Sequence, residues 1–555
     1  MKKSRDIIIA TITALILLTG CGGNEIEHKQ GNDKIEMSAS QFIIDETPYA
    51  EDTEVTRSRN VANAPFGKEI IKLDNGIEAE VTVEREVADN THHSTTRATE
   101  MTNQHYTIYA LKNGNRVGTL RGTVSGAGSS KKFIPDAGTS SMLLLEPGTY
   151  TFVCHNDQVT PTGNQLYVYN QDAEKALMGV TTTNVSGKEY KVNFQMKHLA
   201  ARIRYELTTY WDINNIRAEV GPQGAIDLSI YNNDGTFNSE STGGVSHEIT
   251  FPTVTTEAAD YTYTSTSNYH YCLPNSIVNP MVIRFKTGML YRKTIASYSM
   301  NLMNFPRQKL AANESYKVKI KLYYSFQYLF SDGTTGTIMQ GKSAGKTPIA
   351  AMISSNKAIG LTDAKVGDSR LFNWSNNLAK HNTITSQIFS VIYNSVDGYN
   401  QTWSTTHSAT GVAHANDPNF PAFVRAANYV PLTPITAPAG KLSNWYLPAL
   451  GEWKLAAQTM GKYNPAQLTA WPTAGTHLNW DDRLVKVIFV QAGGESPIWV
   501  DGTRGDGWYW SSDEFSAGSA YHMVLYPEAT YSLWFAANPK NSNPMRVRAF
   551  IIKNS

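Results

Sequence analysis

The sequence predicts a mostly β chain, with two tandem β-sandwich regions followed by a C-terminal α+β domain. Three observations carry this. Short period-two runs separated by Gly, Pro and Asn turns fill the chain up to about residue 325. Helix-period segments are nearly absent over that stretch. Composition then changes, since Trp211 is the only one of eleven tryptophans before residue 370. At 555 residues the chain exceeds what one core supports, so it divides into several domains.

The elements follow in order. Lys2, Lys3 and Arg5 precede an apolar run from Ile7 to Leu18 that is too short to span a bilayer, which reads as an export signal over residues 1–20. The run closes on Leu18-Thr19-Gly20-Cys21, which resembles the bacterial lipoprotein box, and the resemblance implies that Cys21 is acylated and becomes the mature N-terminus. Lipid would then hold a water-soluble body at a membrane surface. Residues 21–60 read as a polar tether and a first β segment, residues 35–45, leading into a loop with Arg57 and Arg59 that a protease could reach.

Residues 61–198 and 199–325 read as the two sandwich regions. Ile77, Ala79, Val81 and Val83 alternate with Glu78, Glu80, Thr82 and Glu84, and Tyr316, Val318, Ile320 and Leu322 alternate with lysines. Residues 326–555 form the third unit, with a buried strand near Lys346–Ile353, helices near residues 417–428 and 447–456, and late strands at residues 520–526 and 545–552.

Net charge is +1 and the basic residues are dispersed, which excludes an electrostatic nucleic-acid binder. Cys154 and Cys272 are compatible with one disulfide or two buried thiols, and neither lies at a spacing that suggests a metal site. No cofactor is expected. Gly336-Thr337-Ile338-Met339-Gln340-Gly341-Lys342-Ser343 satisfies the P-loop pattern, but Gly345 and Pro348 leave no room for the helix that must follow it, so it reads as a chance loop. Ser511, Ser512, Asp513 and His522 are the residues from which a hydrolytic group could be built; packing and turn formation are the reading preferred for them, and no catalytic residue is assigned.

Taken together, the lipobox, the first strand with its arginine-bearing loop, the two sandwich regions and Lys197-His198-Leu199-Ala200-Ala201-Arg202-Ile203 resemble the fimbrillin family of Bacteroidales pilus subunits. That resemblance implies an outer-membrane lipoprotein precursor, an Arg-specific cut at Arg59 or Arg57, loss of the first strand, and filling of the vacated groove by a strand from another pilus subunit, with the product in a cell-surface fimbrium. Arg97 is a less favoured cut because strand-like sequence already precedes it. The blocks Tyr328-Leu329-Phe330-Ser331-Asp332-Gly333-Thr334, Lys346-Thr347-Pro348-Ile349, Trp445-Tyr446-Leu447-Pro448 with Glu452, Tyr509-Trp510-Ser511-Ser512-Asp513-Glu514, and Arg546-Val547-Arg548-Ala549-Phe550 resemble the Lcl C-terminal domain family, which implies a C-type-lectin-like fold.

The joined resemblances imply a tip subunit and adhesin with no enzymatic role, binding a glycan or a surface protein. The alternative is a cell-anchored, non-polymerising surface lipoprotein. Aromatic and acidic groups suited to sugar faces and hydroxyls concentrate at Trp480, Asp481, Trp499, Asp501, Asp506 and Trp508, which are the candidate ligand residues. The Glu-Pro-Asn or Gln-Pro-Asp partner of calcium-dependent lectins is missing, and Arg504-Gly505-Asp506 also spells the integrin tripeptide.

Overall fold

A computed structural model describes residues 34–49, 65–73, 76–86, 103–126, 131–187, 190–222, 224–277, 280–304, 309–472, 478–498, 507–527 and 533–554. Cys21, Arg57, Arg59, Arg97, Trp499, Asp501 and Asp506 lie outside the described residues. Among the described residues no helix is long and apolar enough to cross a membrane.

The chain is mostly β. The first sandwich centres on a seven-stranded sheet ordered Phe42–Glu46, Val192–His198, Leu177–Val185, Gly148–Asn156, His105–Lys112, Asn115–Ser125, Lys132–Pro135. Its inner strand His105–Lys112 is buried from Tyr106 to Leu111 because the sheet is covered on both faces. Ile108, Ala110 and Phe152 face one core, shared with Leu143 and Leu145, while Tyr109, Leu111 and Val153 face a second core under the four-stranded sheet that contains Gln165–Tyr169 and Ala225–Asn232. A strand buried twice over reads as a continuous apolar run, and this one does.

The second sandwich sets the sheet ordered Tyr263–Thr266, Ala201–Thr209, Ser315–Tyr324, Ile77–Arg85, Gly67–Leu73 against the sheet ordered His247–Phe251, Ile216–Pro222, Met281–Thr287, Ser299–Leu302. Ile77, Ala79, Val81, Val83, Val318 and Ile320 point into its core, as the alternation requires. Sheet membership departs from chain order here. Gly67–Leu73 and Ile77–Arg85, which chain order groups with the first sandwich, hydrogen-bond into the second, with Val83 opposite Val318. The hairpin Ala225–Asn232 and Phe237–Gly243 makes the reverse exchange, joining Gln165–Tyr169 through Val168 opposite Ser229. Pairing that crosses between regions leaves no mark on the alternation of either strand, so periodicity alone could not locate it.

The third unit is α+β. A five-stranded sheet ordered Thr335–Gly336, Tyr328–Phe330, Pro348–Met352, Lys357–Gly360, Phe550–Ile552 and a three-stranded sheet of Trp508–Ser516, Ser519–Leu525 and Leu533–Pro539 pack with helices that include Leu450–Gly461 and Asp482–Val490. The P-loop-like stretch is not a loop. Ile338–Ser343 is a helix whose N-cap Thr337 accepts a hydrogen bond from Gln340 N at 3.2 Å while Thr337 N donates to Gln340 Oε1 at 2.9 Å. The helix ends before Gly345, whose φ of +66° is the left-handed conformation glycine tolerates. The apolar core of the second sandwich continues into this unit through Tyr323, Phe326 and Tyr328 to Leu484 and Ile488.

Candidate functional site

Two places could serve a binding or assembly function: the seat of the leading segment, and a cleft where the second sandwich meets the third unit.

The leading segment is two strands, not one. Ile35–Ser38 pairs antiparallel with Met142–Leu145, a turn at Ala39–Gln41 redirects the chain, and Phe42–Glu46 runs parallel to Val192–His198 at the edge of the seven-stranded sheet. Ser38 and Gln41 bond across the turn, Ser38 N donating to Gln41 Oε1 at 2.7 Å, and this local pairing is what splits the β segment. Ile35, Met37 and Phe42 point into the first core, with Phe42 5.9 Å from the Phe152 ring and 6.4 Å from Phe194. Past the strand, Tyr49 stacks on His198 at 4.0 Å and lies under the Arg202 guanidinium at 4.6 Å, while Asn313 Nδ2 donates to Pro48 O at 2.9 Å. The segment therefore fills a groove of the first sandwich and reaches its junction with the second.

The cleft has a volume of about 600 Å³. Tyr210, Trp211, Tyr261 and Tyr263 of the second sandwich face Arg483 and Lys486 of helix Asp482–Val490 across it. Each cation has its own carboxylate. Arg483 pairs with Asp212 and stacks 3.7 Å over Trp211; Lys486 Nζ bonds both carboxylate oxygens of Glu257 at 2.7 and 2.8 Å; Arg370 forks onto Glu495 at 2.6 and 3.2 Å. With each cation matched to a carboxylate and Asp482 adding a further negative charge, the cleft offers aromatic faces and hydrogen-bonding groups to a neutral polar ligand more than a field for an anion. Burial pushes the Tyr210 hydroxyl up to about 12 and raises that of Tyr263, so both are neutral phenols at physiological pH. Tyr261 is exposed and holds a φ of 64°, a conformation unfavourable for an aromatic residue. A turn fixes it there: Tyr261 N donates to Ala258 O at 2.9 Å, and Thr262 Oγ1 donates to Asp260 Oδ1 at 2.6 Å.

Trp480 and Asp481 have other duties. Trp480 is 4 % exposed and donates from Nε1 to Tyr526 O at 3.2 Å; Asp481 is the N-cap of helix Asp482–Val490, accepting from Leu484 N at 3.0 Å, and pairs with Arg292 at 3.1 Å. Trp508 packs on His522 at 5.5 Å. The Asn-Trp-Asp-Asp-Arg run thus supplies a helix start, and its contribution to the cleft is through Asp482 and Arg483.

Ser511, Ser512, Asp513 and His522 do not form a hydrolytic group. Ser511 Oγ donates to Tyr521 O at 3.1 Å, Asp513 accepts from Ser395 Oγ, Gln401 Nε2 and Leu450 N at 2.7 to 2.9 Å, and burial lowers His522 to about 3. Cys154 and Cys272 are free thiols in separate cores, each pushed up by burial, Cys272 to about 12.

The sequence blocks of the third unit also have structural partners. Arg548 is fully buried and donates to Asp363 Oδ1 from Nε at 2.8 Å and Nη2 at 2.6 Å, Arg546 Nη1 donates to Asp363 Oδ2 at 2.6 Å, and Tyr509 donates to Oδ1 at 3.1 Å. Glu452 accepts from Tyr446 at 2.9 Å and from Ala449 N at 2.9 Å and pairs with Lys357.

The sequence matches no protein-family model and no curated protein. Among solved structures, the chain is similar to a "putative cell adhesion protein" of Bacteroides uniformis at 12% identity over 40% of this chain and 91% of that one, with a TM-score of 0.27. A second, from Bacteroides ovatus, shares that description, with 11% identity over 53% and 93% and a TM-score of 0.31. A fimbrial assembly protein of Parabacteroides distasonis aligns at 12% identity over 41% and 86%, with a TM-score of 0.24. The functional reading rests on the residues of this chain.

Proposed function

We propose that the protein is a fimbrial subunit and adhesin of the bacterial surface, made as a lipoprotein, cut by an Arg-specific protease at Arg57 or Arg59, and assembled by accepting a strand from another subunit. The observation that carries this reading is the seat of residues 35–46, an edge strand and a core-filling pair in one short segment upstream of both arginines. Cleavage there would strip the Val192–His198 edge and open the core, and an extended segment of matching alternation is what such a groove accepts.

Phe550–Ile552 is held against Lys357–Gly360 at the edge of the third unit's sheet. In this proposal the subunit takes a terminal position, with the third unit, lectin-like on the sequence resemblance, and the cleft it shares with the second sandwich pointing outward. Ligand binding, not catalysis, is the role assigned to that cleft, and a glycan is the ligand class its paired charges and aromatic faces suit. The burial of Ile35, Met37 and Phe42 also favours a second reading, in which the segment is never released and the protein is an anchored surface lipoprotein.

Immunogold labelling of purified fimbriae with antibody to residues 330–555, combined with sequencing of the mature N-terminus, separates the two. Label at fibre ends with a start just after Arg57 or Arg59 is the expected outcome. Label on the cell surface alone, with an acylated Cys21, would replace it by the anchored reading.

A further inference from the structure

Strand His270–Cys272 places two donors on one face, since residues two apart in a strand point the same way. The strand lies in the sheet of Ala201–Thr209, with Ile203 opposite His270 and Ala201 opposite Cys272. From the facing sheet, His247 at the start of His247–Phe251 meets them, opposite Val220 of Ile216–Pro222. One ligand atom from each of His247, His270 and Cys272 lies within 4.8 Å of the others, and among the described residues no other trio drawn from His, Cys, Asp and Glu is so placed.

The hydrogen bonding of these rings is anomalous. His270 is buried, yet neither of its ring nitrogens has a hydrogen-bond partner, and His247 Nε2 has none either. Buried imidazoles ordinarily have a partner for at least one nitrogen. Here the two rings stack at 4.6 Å, and the other face of the group packs on Tyr205, 5.5 Å from the His270 ring. On its open side a cleft of about 740 Å³, lined by residues that include Glu174, Glu248 and Asn268, reaches both histidines.

We propose that His247, His270 and Cys272 form a binding site for a borderline transition-metal cation, zinc in the first instance, which pins the two sheets of the second sandwich together. Two imidazoles and a thiolate are the donor set that zinc selects over calcium or magnesium, and three protein ligands leave a fourth position open to water from the cleft. Tetrahedral zinc bonds of about 2.0–2.3 Å set ligand atoms about 3.3–3.8 Å apart, so the group must contract by about 1 Å, within the reach of side-chain rotation. On binding, the Cys272 sulfur forms the metal bond and its proton passes to solvent; no electron transfer is involved. The site is independent of the adhesin reading, which invokes none of the three residues.

Co²⁺ titration of the mature protein tests it. One equivalent should give tetrahedral d–d bands with a thiolate-to-metal charge-transfer band, and Zn²⁺ should displace it. Cys154→Ser should retain the charge-transfer band and Cys272→Ser should abolish it, with far-UV circular dichroism reporting that each is folded. Should Cys272→Ser fail to fold, His247→Ala, at the half-exposed rim, decides: Zn²⁺ affinity should fall at least tenfold. A wild-type protein that gives no charge-transfer band, or a band or affinity unchanged in the folded variants, overturns the site.

Discussion

At the residue scale Asp363 with Arg546 and Arg548 is a costly commitment of charge to the interior. Burial alone would raise the Asp363 carboxyl, but the two guanidiniums outweigh it and hold it below the usual carboxylate range. Arg548→Met leaves Asp363 to Arg546 and Tyr509 and strips two buried hydrogen bonds to charge, each worth about 1.5–3 kcal/mol. It should therefore lower the unfolding free energy by about 3 kcal/mol in urea denaturation, and a loss below about 1 kcal/mol would show that Arg546 alone satisfies the carboxylate. Because the folded carboxyl titrates lower than the unfolded one, the pair's contribution is fully present above the unfolded value of about 3.9 and disappears as pH falls through the folded one. Wild type and Arg548→Met should accordingly converge in stability under strong acid. The Arg-Val-Arg block was visible in the sequence; Asp363 was not, since its partner lies 185 residues further along the chain.

At the element scale, many strands were legible and several helices were not, Ile338–Ser343 and Asp482–Val490 among them. Alternation at Ile77 to Val83 located a half-buried strand because one face meets the core and the other meets lysines and solvent. Helix Asp482–Val490 was hidden because its N-cap Asp481 and flanking Trp480 imitate a sugar-binding run, although Asp481 before an amphipathic stretch is itself a helix-start signal. The leading segment yields the element-scale prediction. Full burial is worth about 1.5–3 kcal/mol for each of Ile35, Met37 and Phe42, hence about 5–9 in sum, against a typical total of about 5–15. A protein lacking residues 34–49 should melt well below the intact chain, and a synthetic peptide of residues 35–46 should restore the melting temperature with saturable dependence on concentration. A truncated protein as stable as the intact one would argue against a groove that needs a strand.

At the scale of the whole molecule, the sandwiches and the α+β unit could be anticipated, whereas the cleft could not. Tyr261 and Arg483 are far apart in sequence, and only the docking of helix Asp482–Val490 on the second sandwich brings them together. Exposed Tyr261 can be changed without opening a core. Tyr261→Ala should weaken binding of a glycan identified on an array by about tenfold in calorimetry, the equivalent of about 1.4 kcal/mol of lost stacking, with the melting temperature unchanged. Full affinity in that variant would move the ligand away from this cleft.

The exchange of strands between the sandwiches has a mechanical consequence. The chain leaves the second sandwich at Arg85 and returns at Ala201, and both points lie at the same end of one sheet, on strands that flank Ser315–Tyr324. The third unit is tethered at the opposite end of that middle strand, beyond Tyr324. Tension drawing the first sandwich away from the third unit would drag the two outer strands one way and the middle strand the other. The hydrogen bonds along Arg202 to Thr208 and along Ile77 to Arg85 would then resist together in shear, and would not open in succession like a zip. A protein threaded this way can carry a tugging load through its body without coming apart at the seam between its sandwiches.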